Sequence, residues 1–272
     1  MLLSNRAVRV WNVIDSRKDE HISDDDLFIR AQVAQSVNLR TEAREAYASL
    51  LTRVPDAVDV WQKYVDFERP ATEKTRRAVE ALYDKAPTTY AREKYGFTLA
   101  RLLEREEPLR AFSAAEEAHA LKRRRIGAWS REESERRIAL DACFSSRTTT
   151  FEPAPITSIF VVGVPRSGTT LVSSILGSHS EIGSVGEQNL IPYLFSTIAP
   201  RTTSIDAAMR AFTGRWYRAA TADLLNGKTV SLDKLPANIE HCAFLLDAIP
   251  GSIVLHVDRD ARDSAISNHF QD

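Results

Sequence analysis

Apolar positions in the first half of the chain recur three and four residues apart, the period of helices that bury one face. Ser23 before three aspartates reads as an N-cap with an acidic first turn, and Leu27, Ile29, Ala31, Val33, Ala34 and Val37 then keep helical spacing. A second helix, EAREAYASLL, stops before Pro55, a third, VDVWQKYVDFE, before Pro70, and a fourth, TEKTRRAVEALYDKA, before Pro87. YAREKYGFTLARLLER, LRAFSAAEEAHALKRRR and REESERRIALDACF read as three more, in a half rich in Ala, Leu, Glu and Arg. Pro55 and Pro87 lie 32 residues apart, and counting back from each puts Ala43, Tyr47 and Leu50 in register with Thr75, Val79 and Leu82. A period near 33 built from helix pairs predicts an α-solenoid over residues 1–147.

The pattern then changes. Residues 145–155, SSRTTTFEPAP, are polar and carry two prolines, which places a linker at 148–155. Beyond it strands alternate with helices: a strand over 156–162, a helix over 169–178, a loop SHSEIGSVGEQN, and helical stretches from Asn189 and over 204–225. A strand over 229–232, a helix over 238–248, a strand over 252–257 and a helix start near Ala261 complete it. Such alternation predicts a parallel, three-layer α/β sheet for residues 156–272, so the fold class is α + α/β.

Composition narrows the function only by exclusion. With 272 residues, 43% apolar, 27% charged and a formal net charge of −1, the chain carries no whole-protein signal for nucleic acid. Its dense basic run, Lys122 to Arg125, reads first as a solvated helix face. No stretch has the ~20 apolar residues of a membrane span. Cys143 and Cys242 form neither a CxxC pair nor a zinc spacing, so a reducing, cytoplasmic setting without a metal is expected.

The chemistry concentrates in ITSIFVVGVPRSGTTL, residues 156–171, where an apolar β-branched run opens into a glycine turn and then a hydroxyl-rich helix start. Strand, glycine loop and helix N-terminus bring backbone N–H groups together on an anion. A nucleotide triphosphatase would carry lysine after the second loop glycine; here Thr169 stands there and the cation, Arg166, lies inside the loop. That pattern favours a shorter 5′ chain, held by backbone, by Ser167, Thr169 and Thr170, and by one arginine.

The loop resembles the first motif of sulfotransferases that use 3′-phosphoadenosine 5′-phosphosulfate (PAPS). That motif, P-[KR]-S-G-T-[TS], is matched by Pro165, Arg166, Ser167, Gly168, Thr169 and Thr170 without a gap. The family's second motif, R-x-P-x-D-x-x-x-S, resembles VDRDARDSAIS, with Arg259 and Ser267 at its separation, Asp263 in place and Ala261 where proline is usual. The protein-tyrosine and carbohydrate branches also carry a glutamate in a G-E loop and a lysine in D-K-x-P; Glu187 in SVGEQNL and Lys234 in SLDKLPAN stand there. The first half, in turn, is similar to tetratricopeptide and half-repeat proteins with a W-x-x-Y-x-x-F-E helix, here Trp61, Tyr64, Phe67 and Glu68.

These resemblances imply sulfuryl transfer from PAPS to a hydroxyl or amine, with Glu187 as general base and Arg166 and Lys234 stabilising the leaving group. Arg259 and Ser267 would hold the 3′-phosphate. An exposed loop carboxylate, a surface lysine and a structural Arg–Asp pair are the bland alternatives for Glu187, Lys234 and Arg259. The repeat aromatics serve internal packing first and a peptide or protein partner second. The family continues past its second motif with further helices, a strand and an adenine-covering segment, so the chain ending at Asp272 is expected to be C-terminally truncated. The competing functions are a P-loop kinase or triphosphatase, and an interaction protein with an inactive transferase half.

Overall fold

The structure, a computed structural model, describes residues 10–14, 16, 22–68, 70–144, 156–202 and 204–271. It divides into two compact units, a helical one drawn from residues before Trp129 together with 265–271, and an α/β one spanning Trp129–Ser264. The expected linker at 148–155 lies outside the described residues.

The helical unit contains α1 (Asp24–Ser36), α2 (Arg40–Arg53), α3 (Val58–Tyr64), α4 (Glu73–Asp84), α5 (Thr89–Leu103) and α6 (Pro108–Ile126). Three starts are capped by hydroxyls: Ser23, Thr72 and Thr88 accept the amides of Asp26, Thr75 and Ala91 at 3.0–3.2 Å. Residues related by the 32-residue spacing share their fate. Ala43 and Thr75 are both buried, as are Tyr47 and Val79, while Leu50 is buried and Leu82 packs against the same core. The third helix is shorter than its apolar pattern predicts, ending at Tyr64. Beyond it the Glu68 carboxylate accepts the Tyr64 and Thr75 hydroxyls, tying the chain into the turn toward α4.

The α/β unit contains α7 (Arg131–Ala142), β1 (Ser158–Gly163), α8 (Thr169–Leu176), β2 (Ile182–Gly186), α9 (Leu190–Ile198), α10 (Ala207–Thr221), β3 (Val230–Asp233), α11 (Cys242–Ala248) and β4 (Ser252–Val257). A final helix, α12 (Ala261–His269), begins in it. The four strands are parallel, in the order β2-β3-β1-β4. β1 is buried along its whole length and alternates between two cores. Phe160 and Val162 pack with Phe195, Tyr217, Phe244 and Leu245 on one face, while Ile159 and Val161 pack with Val172 and Leu176 of α8 on the other.

Two expectations are corrected. The stretch 178–189, read as loop, contains β2; its five residues, IGSVG, hold too few apolar positions to show a strand period, and the pairing of Ile182 with Val230 creates it. The seventh helix was assigned to the first domain, but α7 belongs to the α/β unit. The buried Asp141 carboxylate accepts the Ala243 and Phe244 amides, 2.9 and 2.8 Å, at the open start of α11. Arg137 pairs with Glu240 at 2.9 Å, and Phe144 is buried against Phe195 and Phe244. The division therefore precedes Trp129 instead of falling at 147.

Candidate active site

Because the strands share one direction, their carboxyl ends form one edge, where open parallel sheets bind ligands. Each end delivers a residue expected from sequence. The loop 164–168 follows β1, Glu187 follows β2, Lys234 follows β3, and Arg259 comes two residues after β4.

The loop is built on two glycines, one required for space and one for its backbone conformation. Gly163 has φ 155°, and a Cβ there would stand 2.5 Å from the Val257 carbonyl oxygen and 2.9 Å from Ser167 Oγ. Gly168, φ 108°, is the left-handed N-cap of α8. Between them Arg166 also adopts positive φ, 70°, a conformation that costs a non-glycine residue roughly 1–3 kcal/mol. Pro165, Arg166, Gly168 and Thr170 are exposed, whereas Ser167 and Thr169 are buried. The Ser167 amide donates to the Val164 carbonyl at 3.1 Å, but its Oγ, buried in the loop, has no hydrogen-bond partner. The first N–H groups of α8 lack intrahelical acceptors, as at any helix start.

Arg259 joins this loop directly. Its Nη1 donates to the Arg166 carbonyl at 3.1 Å, and its guanidinium lies 3.6 Å from the Asp263 carboxylate one turn on. Ala261 is the first residue of α12, the position where proline is tolerated because its missing N–H would be unpaired anyway; alanine keeps the same start. The turn is instead held by Asp260, whose carboxylate accepts the Arg262 amide at 2.8 Å and its guanidinium at 3.0 Å. Ser267 lies further along α12, among the residues that group with the helical unit.

Glu187 and Lys234, 47 residues apart in sequence, form an ion pair between Oε1 and Nζ. Adjacent strand ends account for it: Gly186 is in register with Asp233, and the Lys234 amide donates to the Gly186 carbonyl at 2.9 Å. The lysine is largely buried, at 15% exposure, while the carboxylate is half exposed at 53%, so the pair opens to solvent on the glutamate side.

Beneath this pair lies a residue that sequence reasoning treated only as part of D-K-x-P. Asp233 is fully buried, and its two oxygens accept from the Tyr217 hydroxyl at 3.0 Å and the Gln188 amide at 3.4 Å. Burial pushes its pKa up to about 7, helped by Glu187 and opposed by the two hydrogen bonds and Lys234. Tyr217, buried beside it, is pushed well above the ordinary phenol range. The aspartate that ends this core strand was the available signal in the sequence that the helix packed on it must supply a donor.

Among the described residues no group of three or more His, Cys, Asp or Glu could hold a metal ion, and no helix is long and apolar enough to cross a membrane.

Residues 158–272 match the model of the Sulfotransferase family, which supports a sulfotransferase-family domain over that stretch. An uncharacterized protein of Aquifex aeolicus (strain VF5) is 28% identical, the match covering 88% of this chain and 34% of that protein. The chain thus spans about a third of that relative's length. No solved structure matches the chain.

Proposed function

We propose that the chain transfers a sulfuryl group from PAPS to a hydroxyl or amine acceptor. The observation that carries this reading is the bond from Arg259 to the Arg166 carbonyl, which joins two motifs inside a stretch matching the Sulfotransferase family. The loop suits the donor's 5′ end: positive-φ backbone, a buried Ser167 Oγ still lacking a partner, and an arginine inside the loop while Thr169 replaces a triphosphatase's lysine. Pro165, Gly168, Thr169 and Thr170 complete the cradle, and Arg259 with Ser267 takes the 3′-phosphate.

PAPS supplies the activated sulfuryl group. In the transfer the acceptor oxygen or nitrogen bonds to sulfur, the bond from sulfur to the 5′-phosphate oxygen breaks, and adenosine 3′,5′-bisphosphate leaves. Glu187 takes the acceptor's proton, an effect typically worth ~10²–10⁴-fold. Arg166 and Lys234 neutralise the charge growing on the departing phosphate oxygen. The contact between Glu187 and Lys234 supports a shared role, since the cation that leaves the carboxylate for the phosphate frees the base.

The helical unit is read as a solenoid of paired helices, supported by the matched burial of residues 32 apart, with a peptide or protein partner as its ligand class. A cytoplasmic setting is in keeping with Cys143 and Cys242, both free thiols. Two variants test the site. Glu187→Ala is expected to abolish transfer while leaving binding of adenosine 3′,5′-bisphosphate intact, and Arg259→Ala to weaken that binding, both followed by calorimetry and labelled transfer. Full turnover by the first, or unchanged affinity in the second, removes the corresponding assignment.

A further inference from the structure

A fully buried carboxylate with no direct cationic partner is costly, and where only packing is required an apolar or amide side chain serves at lower cost. Asp233 is such a group. Its direct contacts, the Tyr217 hydroxyl and the Gln188 amide, are both neutral donors. The charged groups acting on it are Glu187, in the turn after β2, and Lys234, the first residue beyond the end of β3. From α10 the group facing it is Tyr217, while Ser231 on β3 turns its hydroxyl to Ser158 at 2.9 Å.

The placement is specific. One carboxylate oxygen holds the amide of the residue after Glu187, and the chain continues from Asp233 directly into Lys234. On the other side Tyr217 ties the same carboxyl to α10, whose ring also packs against Phe160 of the central strand at 5.4 Å. Asp233 is thus the junction through which sheet, α10 and the Glu187 turn are held together.

We infer that Asp233, anchored by Tyr217, is the positioning residue that sets the placement and charge balance of the Glu187–Lys234 pair. This rests on the reading of Glu187 as base and Lys234 as its cationic partner. An ionised Asp233 attracts the Lys234 ammonium in competition with Glu187, leaving that carboxylate free to take a proton; a protonated one leaves Glu187 and Lys234 paired. The rate of transfer is therefore expected to rise as Asp233 ionises, in addition to any dependence from the acceptor.

The experiment compares the full chain with Asp233→Asn and Tyr217→Phe. Asparagine keeps the size and can still accept the Gln188 amide but cannot ionise. Transfer is measured against pH between about 5 and 9, across which a group poised near neutrality changes state. Misplacement of a reacting group costs up to about 10²-fold, so kcat is expected to fall ten- to a hundredfold in Asp233→Asn while KM for the donor changes little. The inflection near neutral pH should vanish in that variant. In Tyr217→Phe, which removes a donor to the carboxylate, it should move to higher pH. A folded Asp233→Asn protein with the parent's kcat and pH profile overturns the inference.

A second readout does not depend on turnover. Hydrogen exchange at the Gln188 amide should be slow in the parent and at least tenfold faster in Asp233→Ala; equal rates also overturn the inference. If the parent transfers no sulfuryl group, the function proposed above fails by itself, and this exchange measurement still decides whether Asp233 holds the turn.

Discussion

Replacing Asp233 with asparagine should change stability in a way that depends on pH with a known sign. A carboxyl whose pKa in the folded chain is raised prefers to be protonated there. The unfolded chain releases that proton near the ordinary value of about 3.9, so stability declines above that pH and stops declining once the folded group ionises, here at about 7. Each pH unit within this window costs about 1.4 kcal/mol, giving a total near 4 kcal/mol. Asparagine has no such dependence. Between pH 5 and pH 8 the advantage of Asp233→Asn over the parent should therefore grow by roughly 3 kcal/mol, from the two units of the window that lie in this range. That is a large share of the 5–15 kcal/mol typical of a domain. Urea unfolding of both proteins, read by tryptophan fluorescence with Trp129 and Trp216 reporting on the α/β unit, measures it at the two pH values. A difference between variant and parent that stays constant across this range would refute the reasoning, because it would mean that Asp233 ionises in the folded chain as it does in the unfolded one.

Three further outcomes follow from local geometry. Gly163→Ala puts a Cβ 2.5 Å from the Val257 carbonyl, so β4 and the loop must separate. Binding of adenosine 3′,5′-bisphosphate should weaken at least tenfold in calorimetry, with roughly 1–3 kcal/mol lost in stability. Asp141→Ala leaves two N–H groups at the start of α11 unpaired, at about 1–3 kcal/mol for each buried donor; thermal unfolding should show a lower midpoint for the α/β unit. Lys234→Met should depress kcat more than the KM for donor in steady-state transfer, since its proposed role grows as charge develops on the leaving oxygen.

Much of the site was legible because its signals are local. The loop from Gly163 to Thr170 carries glycine at two of its three positive-φ positions, Gly163 and Gly168, and hydroxyls at a helix start, and both lie within one short stretch. β4 follows the run SIVLHV at 252–257, where Ile253, Val254 and Leu255 are consecutive and β-branched or aliphatic, and was read with its observed bounds. The pairing of Arg259 with Asp263 was legible from their spacing of four residues at a helix start. What was not legible depends on partners distant in sequence. An aspartate on α7 looks like a surface residue until the start of α11, about a hundred residues on, supplies two amides to it. β2 is too short and too rich in glycine and serine to declare itself without β3 beside it. The Asp233–Tyr217 contact joins residues 16 apart through the packing of α10 on the sheet, which no periodicity encodes. The meeting of Glu187 with Lys234 likewise follows from the strand order β2-β3-β1-β4.

The central claim is that the carboxyl edge of this sheet carries out sulfuryl transfer. Its most direct test incubates the chain with PAPS labelled in the sulfuryl group and a cell lysate as the source of acceptors. Label is followed into products, and adenosine 3′,5′-bisphosphate is followed as the leaving group. The account predicts labelled acceptor and bisphosphate in equal amounts, both lost in Glu187→Ala. Tight magnesium-dependent binding and cleavage of ATP, with no label transferred and no affinity for the bisphosphate, would contradict it.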